Sequence, residues 1–311
     1  MEQIREIISR PRSENVNQVL TWLAAIGAAA LLVWAGIGLS SRIFPKPQIG
    51  LIYVDTVISG QGMPYFSIPL NYAAQHDEIV GVVLVVNSPG GSASISEELF
   101  YRTRNLRDQK PIVVSVMGIN ASGAYYMSMG ANYIIAKPAA LVGSIGVVSG
   151  IPGEGSLSEN QATTGPFKGS GSSEVDWIRG LEVIKNAFAT NVFDQRSFLL
   201  ENMHSESWLD RLPAIQNFAT GQVWFAPDAL KLGIIDQVGS DLDAIAKAAE
   251  LAGVSNYEIV DLTGLTLFGD GSFLFNTDIA GRAAQFVDPE INIIADGPYP
   301  TFYHLYIPPN D

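Results

Sequence analysis

The sequence predicts an α/β fold, and three observations carry the prediction. Apolar runs of the kind buried on both faces of a parallel sheet recur along the chain. Segments with helical apolar spacing fall between them, and glycine- or proline-marked turns stand at the junctions. The run IGLIYVDTVIS (49–59) reads as a first strand and EIVGVVLVVNS (78–88) as a longer, fully buried one. In SASISEELFYRTRNLRDQK (92–110), Ser94 stands three residues before Glu97, the spacing of a capping box. Ile95, Leu99, Thr103 and Leu106 then share one helical stripe. PIVVSVMG (111–118) and NYIIA (132–136) are strands, and a long helix is expected from about Glu174 to Met203. The helix APDALKLG is closed by Gly233, the strand IIDQV follows, and the helix SDLDAIAKAAELAG ends the alternation. The chain has no internal repeat.

At 311 residues, with 47% hydrophobic and 16% charged residues, the chain has material for one large or two modest folded domains. A formal net charge of −13 argues against binding to nucleic acid or anionic lipid headgroups through a basic face. The absence of cysteine excludes thiol catalysis, thiolate metal sites and disulfides. Near the start, residues 19–39 carry no charge and span about 31 Å as a helix, close to the thickness of a bilayer core. This reads as an uncleaved transmembrane anchor, with Trp22 and Trp34 toward the two interfaces. A cleaved signal peptide is the other reading, and the length of the apolar run and the lack of an A-x-A site count against it. Arg5, Arg10 and Arg12 before the span, against Arg42 and Lys46 after it, favour a cytoplasmic N-terminus with the bulk of the chain outside. The expected organisation is a cytoplasmic tail (1–17), the anchor (18–40) and a linker (41–48), followed by the folded region.

Two turns after strands have chemical potential. In NSPGGSAS (87–94), Gly90 and Gly91 can direct backbone N–H groups at an anionic ligand where a Cβ would obstruct, or they can simply join a strand to a helix. The pattern is neither a P-loop nor G-x-G-x-x-G, so a nucleotide site is rejected. Ser122, in ASGAYYMSM, occupies the matching place after the next strand. A serine there is a helix N-cap, or a nucleophile with the Gly123 N–H beside it as oxyanion donor.

The motifs VVNSPGGSAS, ASGAYY, GSIGVV and ATGQVWFAPDALKLGIIDQVG, in this order, resemble the signal peptide peptidase A family of serine proteases. The resemblance covers about residues 49–262 and leaves a C-terminal extension, 263–311. It implies the fold of the Clp protease proteolytic subunit and the crotonases, a spiral of β-β-α units with an oxyanion hole beside a central helix. It also implies a Ser-Lys dyad, which accounts for the lack of a suitable histidine: His76, His204 and His304 read as surface or packing residues. Lys168, in TTGPFKGSGSS beside Phe167, matches the family's lysine and is the expected general base, with Lys137 and Lys185 as rivals. A lysine serves as base only as the neutral amine, which asks for burial or nearby positive charge. Ser144, in GSIGV, corresponds to the serine that orients the lysine. The oxyanion hole then comprises Gly123 with Gly90 or Gly91.

Three departures from the family pattern are Ala124 in place of a glycine, a short Gly/Ser-rich connection between Ser144 and Lys168, and Gln222 where arginine is common. The implied activity is hydrolysis of leftover signal peptides or membrane-protein fragments through an acyl-enzyme. Neither a metal nor an organic cofactor takes part. Relatives form ring-like oligomers, so a homo-oligomer with the dyad shared between subunits is expected. The alternatives are an inactive scaffold or peptide-binding protein of the same fold, and a crotonase-type acyl-CoA enzyme, which the anchor and acidic charge disfavour. Beyond the resemblance, LTLFGDGSFLFN (265–276) reads as a hairpin turning at Gly-Asp-Gly. The aromatic, proline-rich segment PYPTFYHLYIPPND is expected to cover a sheet edge or contact a neighbour.

Overall fold

The computed structural model describes residues 12–43, 46–150, 162, 164–165, 167–196, 218–269 and 303–305. The long helix expected to reach about Met203 ends at Gln195, with Arg196 as its C-cap, and residues 197–203, His204 and most of the expected hairpin lie outside the described residues. The chain divides into two units, Met1–Lys46 and Pro47–Asp311.

The first unit contains α1 (Arg12–Ile43), a helix of 32 residues. Its side chains are described over 18–34 and are exposed, Trp22 and Trp34 among them. Among the described residues no helix is long and apolar enough to cross a membrane.

In chain order the second unit runs β1 (Gln48–Val54), α2 (Met63–Gln75), β2 (Ile79–Ser88), β3 (Gly90–Ser92), α3 (Ala93–Arg107), β4 (Ile112–Ala121), α4 (Gly123–Ser128), β5 (Tyr133–Ala136), β6 (Leu141–Gly143), α5 (Glu174–Gln195), β7 (Val223–Phe225), α6 (Ala226–Lys231), β8 (Gln237–Val238), α7 (Asp241–Leu251), β9 (Glu258–Asp261), α8 (Leu262–Phe268) and β10 (Tyr303–Leu305). The main sheet has the order β7-β6-β4-β2-β1-β9, with β5 pairing β4 and β8. All of its pairings are parallel except β6 with β7. A parallel sheet needs cover on both faces. Val82, Leu84 and Val86 of β2 point into a core shared with α2, α3 and α4, while Val83 and Val85 face Ala244, Ile245 and Ala248 of α7. The α/β class read from the sequence is therefore the observed one.

Two further local readings are corrected. The capping box of Ser94 and Glu97 does not form, because α3 starts at Ala93 with Ser92 in the N-cap position and no side-chain cap. Gly90–Ser92 is extended as β3, so the helix begins as soon as that strand ends, and Ser94 lies within its first turn. The expected hairpin after residue 264 begins instead as α8. Asp261 caps that helix by accepting from the Gly264 N–H at 2.8 Å, and Gly269, at φ 74°, ends it in the left-handed region. The first glycine of Gly-Asp-Gly thus stops a helix. Helix α2 has no clear signal in the sequence: Pro64 is tolerated in its first turn, and Pro69 lies inside it. Burial of Tyr65, Phe66, Pro69, Leu70 and Ala73 along one face holds it in place.

Candidate active site

Three parallel strands end side by side, and each leads into one of the turns with chemical potential. The pairing of β2 with β4 closes at Ser88 and Asn120, and that of β4 with β6 closes at Ala121 and Gly143. The turns carrying Gly90 and Gly91, Ser122 and Ser144 are thereby brought to one edge of the sheet. This is the carboxyl end, where open α/β sheets place their ligands.

Ser122 is the most constrained of them. It is 1% exposed, adopts φ 56° and ψ −122°, and donates its N–H to the Gly143 carbonyl at 2.7 Å. It occupies the N-cap position of α4, yet its side chain makes no capping hydrogen bond. A non-glycine residue in such a conformation costs on the order of 1–3 kcal/mol and persists only where its surroundings impose it. Here α4 imposes it. Tyr126 stacks between Phe100 and Phe188, with centroids 5.2 and 4.6 Å away, and its hydroxyl meets Glu97 and Asn191. Burial, followed by the Glu97 charge, pushes the Tyr126 phenol well above its ordinary value, so it remains protonated. Tyr125 donates to the Ile234 carbonyl at 2.7 Å, and Asn120 of β4 donates to Ser128 at 3.0 Å. Helix and strand are locked together on either side of the serine.

The glycine turn lies against a short extended segment at Ile58. The Gly90 carbonyl accepts from the Ile58 N–H at 2.8 Å, and the Ile58 carbonyl accepts from the Ser92 N–H at 2.7 Å. A Cβ on Gly91 would stand 1.9 Å from the Ile58 oxygen, so only glycine permits this approach. The Gly90 N–H donates to Ser88 Oγ at 3.2 Å, and that hydroxyl donates to the Thr56 carbonyl at 2.6 Å. Ser88 and Ile58 escape sequence reasoning. The only signal for Ser88 is its place before Pro-Gly-Gly, and Ile58 has none.

Ser144 mirrors Ser122 on the neighbouring strand, with φ 54° and 5% exposure. Its N–H donates to the Gln222 carbonyl at 2.6 Å. Gln222 therefore contributes backbone, which explains why the turn forms with glutamine in place of arginine. Lys168 is not brought to the two serines. It lies exposed in a turn, its N–H on the Gly165 carbonyl at 3.2 Å, and Phe167 beside it is half exposed. Among the described residues its side chain makes no hydrogen bond to Ser122 or Ser144. Lys185 is paired with Glu182 at 2.5 Å, and Lys137 lies half-buried at the end of β5. His76 stacks on Tyr72 with its Nδ1 2.9 Å from the Tyr72 carbonyl, a local packing role.

Residues 104–172, which include Ser122, Ser144 and Lys168, match the profile described as Peptidase family S49. A Methanocaldococcus jannaschii protein named as a protease, MJ0651, is 31% identical over 259 residues, covering 77% of this chain and 82% of that protein. The chain belongs to peptidase family S49. It is a serine peptidase, as the resemblance to signal peptide peptidase A implied. Protease 4 of Salmonella typhi is 34% identical over 186 residues, or 58% of this chain, which spans 30% of that longer protein. Among solved structures, the membrane-bound stomatin-specific protease 1510-N in complex with a substrate peptide is 17% identical, with a TM-score of 0.46, and the match covers 70% of this chain and 92% of that one.

Proposed function

We propose that this S49 peptidase cleaves extended peptides with Ser122 as nucleophile and Lys168 as general base. The observation that carries the reading is the backbone of Ser122: it is strained, buried and placed at a helix start without serving as its cap. A serine needed only for capping would not require that conformation. Neutral Lys168 takes the Oγ proton as Oγ attacks the scissile carbonyl carbon. Ser144 orients the amine. The N–H groups of Gly123 and of Gly90 or Gly91 stabilise the oxyanion, and the lysine returns the proton to the leaving amine. Water, deprotonated by the same lysine, then releases the acyl group and restores Ser122. No cofactor enters.

The exposure of Lys168 supports a homo-oligomer in which a neighbouring subunit's lysine meets this chain's Ser122. Contact with a second subunit would also supply the burial that a neutral amine needs. Residues 18–40 anchor the chain in the membrane, with the N-terminus cytoplasmic and the peptidase outside. Leftover signal peptides and fragments of membrane proteins are the substrates such a position offers. The test is labelling of the detergent-solubilised full chain with a fluorophosphonate, together with casein hydrolysis. Both are expected in the wild type and lost in Ser122→Ala. Labelling that persists in Ser122→Ala would reject the nucleophile. A folded, unreactive wild type would favour a peptide-binding protein, and turnover of acyl-CoA without casein cleavage would favour crotonase chemistry.

A further inference from the structure

The strand beside the candidate oxyanion glycines is already occupied. β10 pairs antiparallel with β3, with Tyr303 opposite Ser92, His304 opposite Gly91 and Leu305 opposite Gly90. It also touches α4, the helix that begins immediately after Ser122. The polarity of the ladder follows from the hydrogen bonds on the other side of β3. The Gly90 carbonyl and the Ser92 N–H are both taken by Ile58, so the Gly91 N–H and carbonyl point the opposite way, toward β10. In an antiparallel pair, directly opposed residues in that register exchange both hydrogen bonds, and here the opposed residue is His304.

Gly91 therefore offers one donor and one acceptor to any extended backbone laid along β3, which leaves Gly90 as the turn's partner to Gly123 in the proposed oxyanion hole. Having no side chain, it reads main chain alone. A peptide added to this edge gains affinity from backbone bonds, as in strand addition generally. Running antiparallel to β3 and against α4, it would pass beside Ser122. An extended substrate needs the place that β10 fills.

We propose that the C-terminal strand Tyr303–Leu305 is a built-in competitor for the peptide-binding edge of β3, holding the peptidase in a self-occupied state. This rests on the assignment of Ser122 as nucleophile. A substrate must displace β10, and the chain's own tail raises the apparent KM for extended peptides. A small serine reagent, which needs no strand pairing, reacts regardless.

The experiment compares three full-length preparations in detergent with a variant lacking Thr301–Asp311. The full-length preparations are the wild type, His304→Pro and Ser122→Ala. His304→Pro removes the N–H that pairs with the Gly91 carbonyl while keeping the chain length. The readouts are KM for a fluorogenic decapeptide and the rate of fluorophosphonate labelling. Releasing two competing backbone hydrogen bonds is expected to lower KM about tenfold in the truncated form, and removing one of them about threefold in His304→Pro, with labelling changed less than about twofold in both. A synthetic peptide of residues 299–311 should inhibit the truncated form competitively, and its scrambled version should not. Labelling confirms that the truncated form is folded. Should truncation abolish it, His304→Pro decides. Ser122-dependent labelling with an unchanged KM in His304→Pro overturns the self-occupied state alone. Labelling that does not depend on Ser122 overturns the catalytic reading beneath it as well.

Discussion

Replacing Gly91 with alanine tests how tightly the glycine turn is built. The new methyl carbon would stand 1.9 Å from the Ile58 carbonyl oxygen and 2.7 Å from the Ile58 nitrogen, both backbone atoms that cannot rotate aside. An ordinary C···O contact is about 3.3 Å, so the segments must part by about 1.4 Å. That displacement breaks the bonds from Ile58 N–H to Gly90 and from Ser92 N–H to Ile58, now 2.8 and 2.7 Å. Each is worth about 1 kcal/mol net, and a buried group left unpaired costs about 1–3 kcal/mol more. Ile58 is fully buried, so water does not compensate. The expected loss is about 3–5 kcal/mol, or a fall of about 10 °C in the apparent Tm. The assay is thermal unfolding of the full chain in detergent, followed by circular dichroism. Gly253→Ala is the control: Gly253 has φ +70°, but a Cβ there would meet nothing within 4 Å, so only backbone strain of about 1 kcal/mol applies. A Gly91→Ala Tm within about 2 °C of wild type, or a Gly253→Ala loss of equal size, would refute the close-approach argument.

The remaining predictions concern other parts of the fold and the dyad. Arg196 holds Asp236 through two hydrogen bonds at 2.8 and 2.9 Å and reaches the Gly233 carbonyl with a third. Arg196→Ala leaves Asp236 without this partner and is expected to cost about 3–5 kcal/mol, while a double-mutant cycle with Asp236→Ala should show strong coupling in urea melts. Burial raises the Asp261 carboxyl above its ordinary range, and its Oδ2 has no hydrogen-bond partner among the described residues. Its folded form binds protons more tightly than the unfolded chain, so its contribution to stability falls as pH rises from the ordinary carboxylate range through the raised value. Asp261→Asn should flatten the pH dependence of Tm in that window and raise Tm above it, and a profile parallel to wild type would oppose this. Mixed oligomers of Ser122→Ala and Lys168→Ala subunits should recover casein hydrolysis that neither shows alone, whereas verified mixed oligomers that stay inert place the dyad within one chain. Lys185→Ala, which among the described residues loses a pairing with Glu182, should keep wild-type turnover.

The parts of this fold that were legible in the sequence are those whose signal repeats along the chain. β2 is buried along nearly its whole length because both faces of a parallel sheet are covered, and the uninterrupted apolar run reports this. The stripe Leu99, Thr103 and Leu106 of α3 reports its buried face in the same way. Features set by one contact left no such trace. The strands β6 and β7 are three residues each and exist through their pairing with neighbours. α2 is held by its buried face in spite of Pro69. The candidate site divides along the same line. Ser122 and the two glycines could be named because small residues after buried strands mark turns where backbone must approach something closely, whereas Ser144 was named only through the family resemblance. The strain on Ser122 could not, since the helix after it is held through Tyr126 by Phe100, Phe188, Glu97 and Asn191, scattered over more than ninety positions of chain. Lys168 is the limiting case. A motif register can nominate a lysine, but its basicity depends on what buries it. For a residue exposed in its own chain, that burial must come from a surface encoded elsewhere, which on the present proposal is the face of a second subunit.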